Sequence, residues 1–159
     1  IGSCTEGTID AMLMGALVIH MAQKGGMARV AAPNRRSGEG NVQFIVTPGS
    51  HHVARLLDKP HSLLDGRTPR EVYESAKAII AKPSCQNCFL KESLFGLRDS
   101  QVAINTYNRN WRGRQGTDGS FSYLGNPFVV AASALLGYIG TPSELGLTWG
   151  APFTQLEAA

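Results

Sequence analysis

Residues 101–137 read QVAINTYNRNWRGRQGTDGSFSYLGNPFVVAASALLG. Gln101–Thr106 carries Val, Ile and Thr in a short run and fits a strand. Tyr107–Gly116 is polar, basic and glycine-bearing, so the chain leaves the strand there as a loop. Phe121–Leu124 is again short and extended. Asn126 then offers a helix cap, Pro127 suits the first helical position, and an apolar stretch runs to Leu136. Gly137 fits a left-handed cap that ends the helix. Strand, loop, strand and helix in this order argue for α/β layers. They also place the basic loop at a strand end, where ligand sites of α/β folds occur.

The same alternation extends upstream. Thr8–Lys24 predicts a helix: Ile9, Met12, Leu13, Ala16, Leu17 and Ile19 recur at spacings of three and four, and Gly25-Gly26 stops it. Pro33–Gly40 (PNRRSGEG) is a polar loop. Val42–Thr47 (VQFIVT) is a candidate buried strand, Pro48-Gly49-Ser50 a turn, and His52–Leu57 a short helix. Thr68–Ala81 carries the clearest helix signals. Thr68 and Glu71 make a capping box, Pro69 sits at the first helical position, and Val72, Tyr73, Ala76, Ile79 and Ile80 form the inner face. The tail from Thr141 reads as surface loop. No internal repeat or low-complexity tract interrupts the pattern.

Composition bounds the function classes. The chain has 159 residues, 43% hydrophobic and 17% charged, which suits one folded domain. No apolar run approaches the roughly 18 residues that span a bilayer. The best stretch, Ala11–Val18, is broken by Gly15 and followed by His20, so a membrane partner is not expected. The net charge of +3 suits acidic small molecules and does not by itself argue for nucleic acid. Three cysteines leave one unpaired in any disulfide scheme. A reducing compartment, cytoplasmic or mitochondrial, is therefore expected. The chain opens Ile1-Gly2-Ser3-Cys4 with no Met and is read as a fragment, a processed chain or one piece of a larger assembly.

Two constellations can do chemistry. The first is Cys4 with Cys85-Gln86-Asn87-Cys88. A CxxC pair can form a redox disulfide, half of a zinc site or two ligands of an iron–sulfur cluster. The thioredoxin reading is weakened because the pair follows a helix and a Pro-Ser turn. Zinc lacks a second close ligand pair, since His20, His51, His52 and His61 are scattered and read as surface or core residues. The second constellation is the loop Tyr107–Gly116. Arg109, Arg112 and Arg114 fall within six residues. Arginine forks bind carboxylate or phosphate. The loop can thus be a solvated basic turn, a grip on nucleic acid with Trp111 as a stacking ring, or a clamp for a di- or tricarboxylic acid.

Taken in order, Ile1-Gly2-Ser3-Cys4-Thr5, Val46-Thr47-Pro48-Gly49-Ser50, Pro83-Ser84-Cys85-Gln86-Asn87-Cys88, Tyr107–Gly116 and Tyr123-Leu124-Gly125-Asn126-Pro127 with Ala131-Ala132-Ser133-Ala134 resemble aconitase and the isopropylmalate isomerase large subunit. The resemblance covers about residues 1–140, leaving 141–159 as a C-terminal tail. Arg114-Gln115-Gly116 is more similar to isopropylmalate isomerase, and Tyr107-Asn108-Arg109-Asn110 as similar to aconitase or homoaconitase. Two positions depart from the family pattern: Glu6 stands where Asn is usual, and Ser84 where Gly is usual.

The resemblance implies a three-layer α/β/α domain with a largely parallel sheet. It implies that Cys4, Cys85 and Cys88 hold a [4Fe-4S] cluster. Three thiolates on four irons leave one iron open as a Lewis acid. It implies that Asn108, Arg109 and Arg114 bind substrate carboxylates, with Ser3 and Thr5 flanking a ligand. The family's acid and base groups match nothing here, so no catalytic acid or base is assigned to this chain. The implied function is the cluster- and substrate-binding part of a hydro-lyase acting on a 2-hydroxy di- or tricarboxylic acid. Its partners would be the remaining aconitase-type domains or a second subunit. Two rivals are a non-catalytic aconitase-like module that binds RNA or protein, and a zinc-binding structural domain.

Overall fold

A computed structural model describes residues 1–3, 5–27, 42–84, 96–148 and 150. The expected loop Pro33–Gly40 lies outside them.

Helix α1, Ile9–Lys24, is capped by Thr8, whose side chain accepts the Ala11 N–H. Its interior has no helix breaker apart from Gly15, and Gly25 ends it. Apolar residues surround most of its circumference, and Met12, Ala16, Leu17, Val18 and Ile19 are fully buried. A helix apolar on nearly every side must be covered on several sides. Here α3, Pro69–Ser75, and α4, Pro127–Leu136, both pack against it. Gly15 lets α3 and the N-terminal residue come close, because a side chain there would meet the Tyr73 hydroxyl and the Ile1 side chain. The Tyr73 hydroxyl donates to the Met12 carbonyl at 2.7 Å, and its ring meets Phe44 edge-on at 5.8 Å. That bond answers a polar group that burial would otherwise leave unpaired.

Among the described residues the strands form two parallel pairs. Strand β1, Ile45–Val46, pairs with β2, Ile79–Ile80; strand β3, Val102–Asn105, pairs with β4, Phe121–Leu124. The N-terminal residues flank β1 on its other side: the Ile1 amine donates to the Ile45 carbonyl, Thr47 N–H donates to the Ile1 carbonyl, and Gly2 bridges Thr47 in parallel. Gly2 N–H reaches Thr106 Oγ1 at 3.0 Å, which ties the end of β3 to this ladder. The fold is therefore a mixed α/β fold with short parallel strands.

The helix read over 68–81 ends early. Thr68 and Glu71 form the capping box and Pro69 opens α3, but α3 stops at Ser75 and Lys77 turns the chain at φ 61°. Ile79 and Ile80 belong to β2, not to a helical face. β-branched residues pack well on a pleated surface, and a parallel partner was available in β1. The strand read over 42–47 shortens to Ile45–Val46, with Thr47 bridging Gly2. The short helix α2 is His51–Leu56, capped by Ser50. Helix α4 keeps the expected caps, with Asn126 accepting from Val129 N–H and Gly137 at φ 83°. The tail starts with a 3-10 turn, Pro142–Leu145.

Candidate functional site

Parallel strands deliver their carboxyl ends to one edge. Thr47 leads into Pro48-Gly49-Ser50, and β2 leads through Ala81, whose N–H donates to the Val46 carbonyl, toward Ser84. Ile1–Ser3 runs alongside in the same direction. The turn that follows is tightly made: Gly7 N–H donates to the Ser3 carbonyl, Glu6 N–H to Ser3 Oγ, and Gly49 N–H to the Gly7 carbonyl. Backbone meets backbone there, since a side chain on Gly7 would fall 2.4 Å from Gly49 N. Ser3 Oγ also lies 3.3 Å from Thr5 Oγ1. Cys4, Cys85 and Cys88 lie outside the described residues. Their described neighbours Ser3 and Ser84 follow the two segments that flank β1 on opposite sides.

The arginine loop leaves the end of β3. Asn105 shapes the exit: its Oδ1 accepts Tyr107 N–H and its Nδ2 donates to Ser122 Oγ. Asn110 Nδ2 donates to the Ser122 carbonyl, and Arg112 Nε donates to the Asp118 carbonyl. Gly113 is required at φ 75°, with the Asp118 carboxylate where a side chain would begin. The loop closes on Leu97, whose N–H donates to the Gln115 carbonyl at 2.7 Å and whose carbonyl accepts Thr117 N–H at 2.9 Å. Gly116 leaves no room for a side chain, because Leu97 O would be 2.0 Å away.

The three arginines have different surroundings. Arg109 and Asn108 are exposed. Arg112 is exposed and held to the loop backbone. Arg114 is 4% exposed. Its guanidinium lies 4.6 Å from the Trp111 ring centre and 5.2 Å from that of Tyr107, and Nη1 donates to the Arg109 carbonyl. An open depression of about 410 Å³ borders it, lined by Trp111, Arg112, Arg114, Gln115, Asp118 and Tyr123 among others. Composition shows the basic cluster, yet the two rings against Arg114 could not be read from spacing alone.

Away from this edge, His20 is a core residue, 5% exposed, as the scattered histidines were read. Its Nε2 lies 3.1 Å from Asp65, which Lys24 also reaches at 3.0 Å. The Lys24 hydrogen bond, then the His20 one, hold the Asp65 carboxyl below its usual range. Nothing in the sequence pattern pairs residues 20 and 65; the left-handed Asp65 at φ 53° brings them together. Among the described residues no group of three His, Cys, Asp or Glu side chains could hold a metal, and no helix is long and apolar enough to cross a membrane.

Comparison with known proteins then places the chain. The sequence profile described as Aconitase family (aconitate hydratase) matches residues 1–137. The 3-isopropylmalate dehydratase large subunit of Caldicellulosiruptor bescii is 33% identical over 147 residues, covering 92% of this chain and 29% of that protein. That of Thermodesulfovibrio yellowstonii is 35% identical, covering 92% and 30%. The probable methanogen homoaconitase large subunit of Methanothermobacter thermautotrophicus is 36% identical over 144 residues, covering 91% and 28%. This chain thus spans somewhat under a third of the length of these relatives. A match running from Ile1 through the arginine loop to the end of α4 settles the kinship: the chain belongs to the aconitase family.

Proposed function

We propose that this chain is the cluster- and substrate-carboxylate-binding part of an aconitase-type hydro-lyase. The reaction would be removal and re-addition of water on a 2-hydroxy di- or tricarboxylic acid. The observation that carries this reading is the shared sheet edge. The segments leading to Cys4 and to Cys85 run parallel on opposite sides of β1, which each of them pairs with, and Thr106, from which the arginine loop departs, hydrogen-bonds Gly2 at the same place.

Cys4, Cys85 and Cys88 would hold a [4Fe-4S] cluster. The donor set fits: three thiols suit a cluster with one open iron, and match neither a closed four-ligand zinc site nor paired disulfides. When bound, that group supplies a Lewis-acid corner for a substrate hydroxyl and carboxylate. The chain's own residues do the rest of the binding. Asn108 and Arg109, exposed at the rim, take a substrate carboxylate, Arg109 by a bidentate fork. Arg114 borders the depression and adds a desolvated positive charge, which attracts an anion more strongly than a hydrated one. Helix α1 starts directly after the Ser3–Gly7 turn, so its positive end favours negative charge at this edge.

No acid or base for proton transfer is assigned here. Those groups would come from the rest of the enzyme, whether further chain or a second subunit, as the large-subunit names of the relatives suggest. Residues 1–140 would form a three-layer α/β/α domain with 141–159 as its tail, working in a reducing compartment, cytoplasmic or mitochondrial.

Anaerobic reconstitution with iron and sulfide, on the chain together with any polypeptide that co-purifies, tests the proposal. The expected result is the broad visible absorption of an iron–sulfur cluster, lost in Cys4→Ser, Cys85→Ser or Cys88→Ser. Stoichiometric zinc without sulfide would overturn it.

A further inference from the structure

The three arginines of the loop are not equivalent, and one aromatic residue explains why. Arg114 is nearly fully buried while Trp111, which covers it, is 50% exposed. A large ring half in solvent contributes less burial than one in the core. What it covers is a cation, with Tyr107 as a second ring against the same guanidinium. A guanidinium over an aromatic face is attracted by the ring's quadrupole, more so when water is excluded. The Arg114 fork also donates to the Arg109 carbonyl, and Arg114 N–H donates to the Trp111 carbonyl at 3.1 Å. Ring, buried arginine and exposed arginine therefore form one mechanical unit.

We propose that Trp111 is a positioning residue for carboxylate binding: with Tyr107 it clamps the Arg114 guanidinium, which in turn fixes the backbone from which the Arg109 side chain projects. This rests on the carboxylate-binding reading above. Trp111 makes no contact with substrate in this scheme. It acts through Arg114, and a ring is needed for it, whereas apolar bulk is not sufficient.

The test uses the full 159-residue chain and malonate as the dicarboxylate probe, with three readouts: calorimetric affinity, the side-chain Nε–H NMR signal of Arg114, and thermal stability. Trp111→Leu is expected to weaken malonate binding about five- to tenfold. It should also broaden the Arg114 signal by exposing it to exchange. Trp111→Phe, which restores an aromatic face, should recover most of both. Thermal stability should change little in either variant, because position 111 is half-exposed. Leu and Phe variants that match the wild type in affinity and in the Arg114 signal overturn the proposal. A wild-type chain that binds no malonate, while its Arg114 signal still depends on the ring, overturns the carboxylate reading and upholds the clamp.

Discussion

Tyr73 and Tyr123 are the same residue type in opposite circumstances. Tyr73 is fully buried between α1 and the Phe44 ring, its hydroxyl bonded to the Met12 carbonyl. Tyr123 lies on β4, 49% exposed, beside Phe121 at 54% and the loop's Trp111 at 50%. Around α1, apolar surface is spent on cohesion. Around β3 and β4 it is left facing outward, next to a cluster of cations. The comparison teaches that the two regions answer to different constraints: one holds the sheet edge still, the other presents groups along it.

The contrast can be broken at its strongest point first. Tyr73→Ala should cost about 3–5 kcal/mol of stability, measured by denaturant unfolding. The same change at Tyr123 should stay within about 0.5 kcal/mol. Equal losses would erase the distinction.

A second probe uses pH. Burial lowers the Ile1 amine from 8.0 to about 5. The unfolded chain therefore binds an extra proton between those values, so stability is fullest above pH 8 and declines as pH falls toward 5. For the 159-residue polypeptide with a free amine, the decline should total about 4 kcal/mol. Acetylating the amine should flatten this slope, since the amide N–H can still donate to the Ile45 carbonyl.

Gly116→Ala sharpens the comparison from the other side. Its side chain would collide with the Leu97 carbonyl, at a cost of about 1–3 kcal/mol. Amide exchange should show the damage confined to the arginine loop and Leu97, with α1 protected as before. The smallest effect on stability belongs to Arg109→Ala, expected within about 0.5 kcal/mol because the side chain is exposed. Malonate binding by the same variant should fall at least about tenfold, a difference of 1.4 kcal/mol or more.

The parts legible in the sequence were those governed by local chemistry. Thr8, Thr68, Asn126 and Gly137 cap helices because short side chains and a left-handed glycine do that work wherever they stand. Strand β4 was likewise visible at Phe121–Leu124. What could not be read depended on distant partners. Ile79 and Ile80 continue a helical spacing, yet they pair with Ile45 and Val46, and no local rule announces that ladder. The arginine cluster was plain in composition, while the burial of Arg114 depends on how Tyr107 and Trp111 fold back over it. His20 and Asp65 meet only through a turn far along the chain.

Helix α1 has a consequence for biosynthesis. It is apolar on nearly every side, and α4, one of the elements that shields it, is encoded far downstream, at Pro127–Leu136. As the nascent chain emerges from the ribosome, α1 must therefore wait with its greasy surface bare until α4 arrives. That interval is when the protein is most prone to clump, and when a chaperone has most to protect.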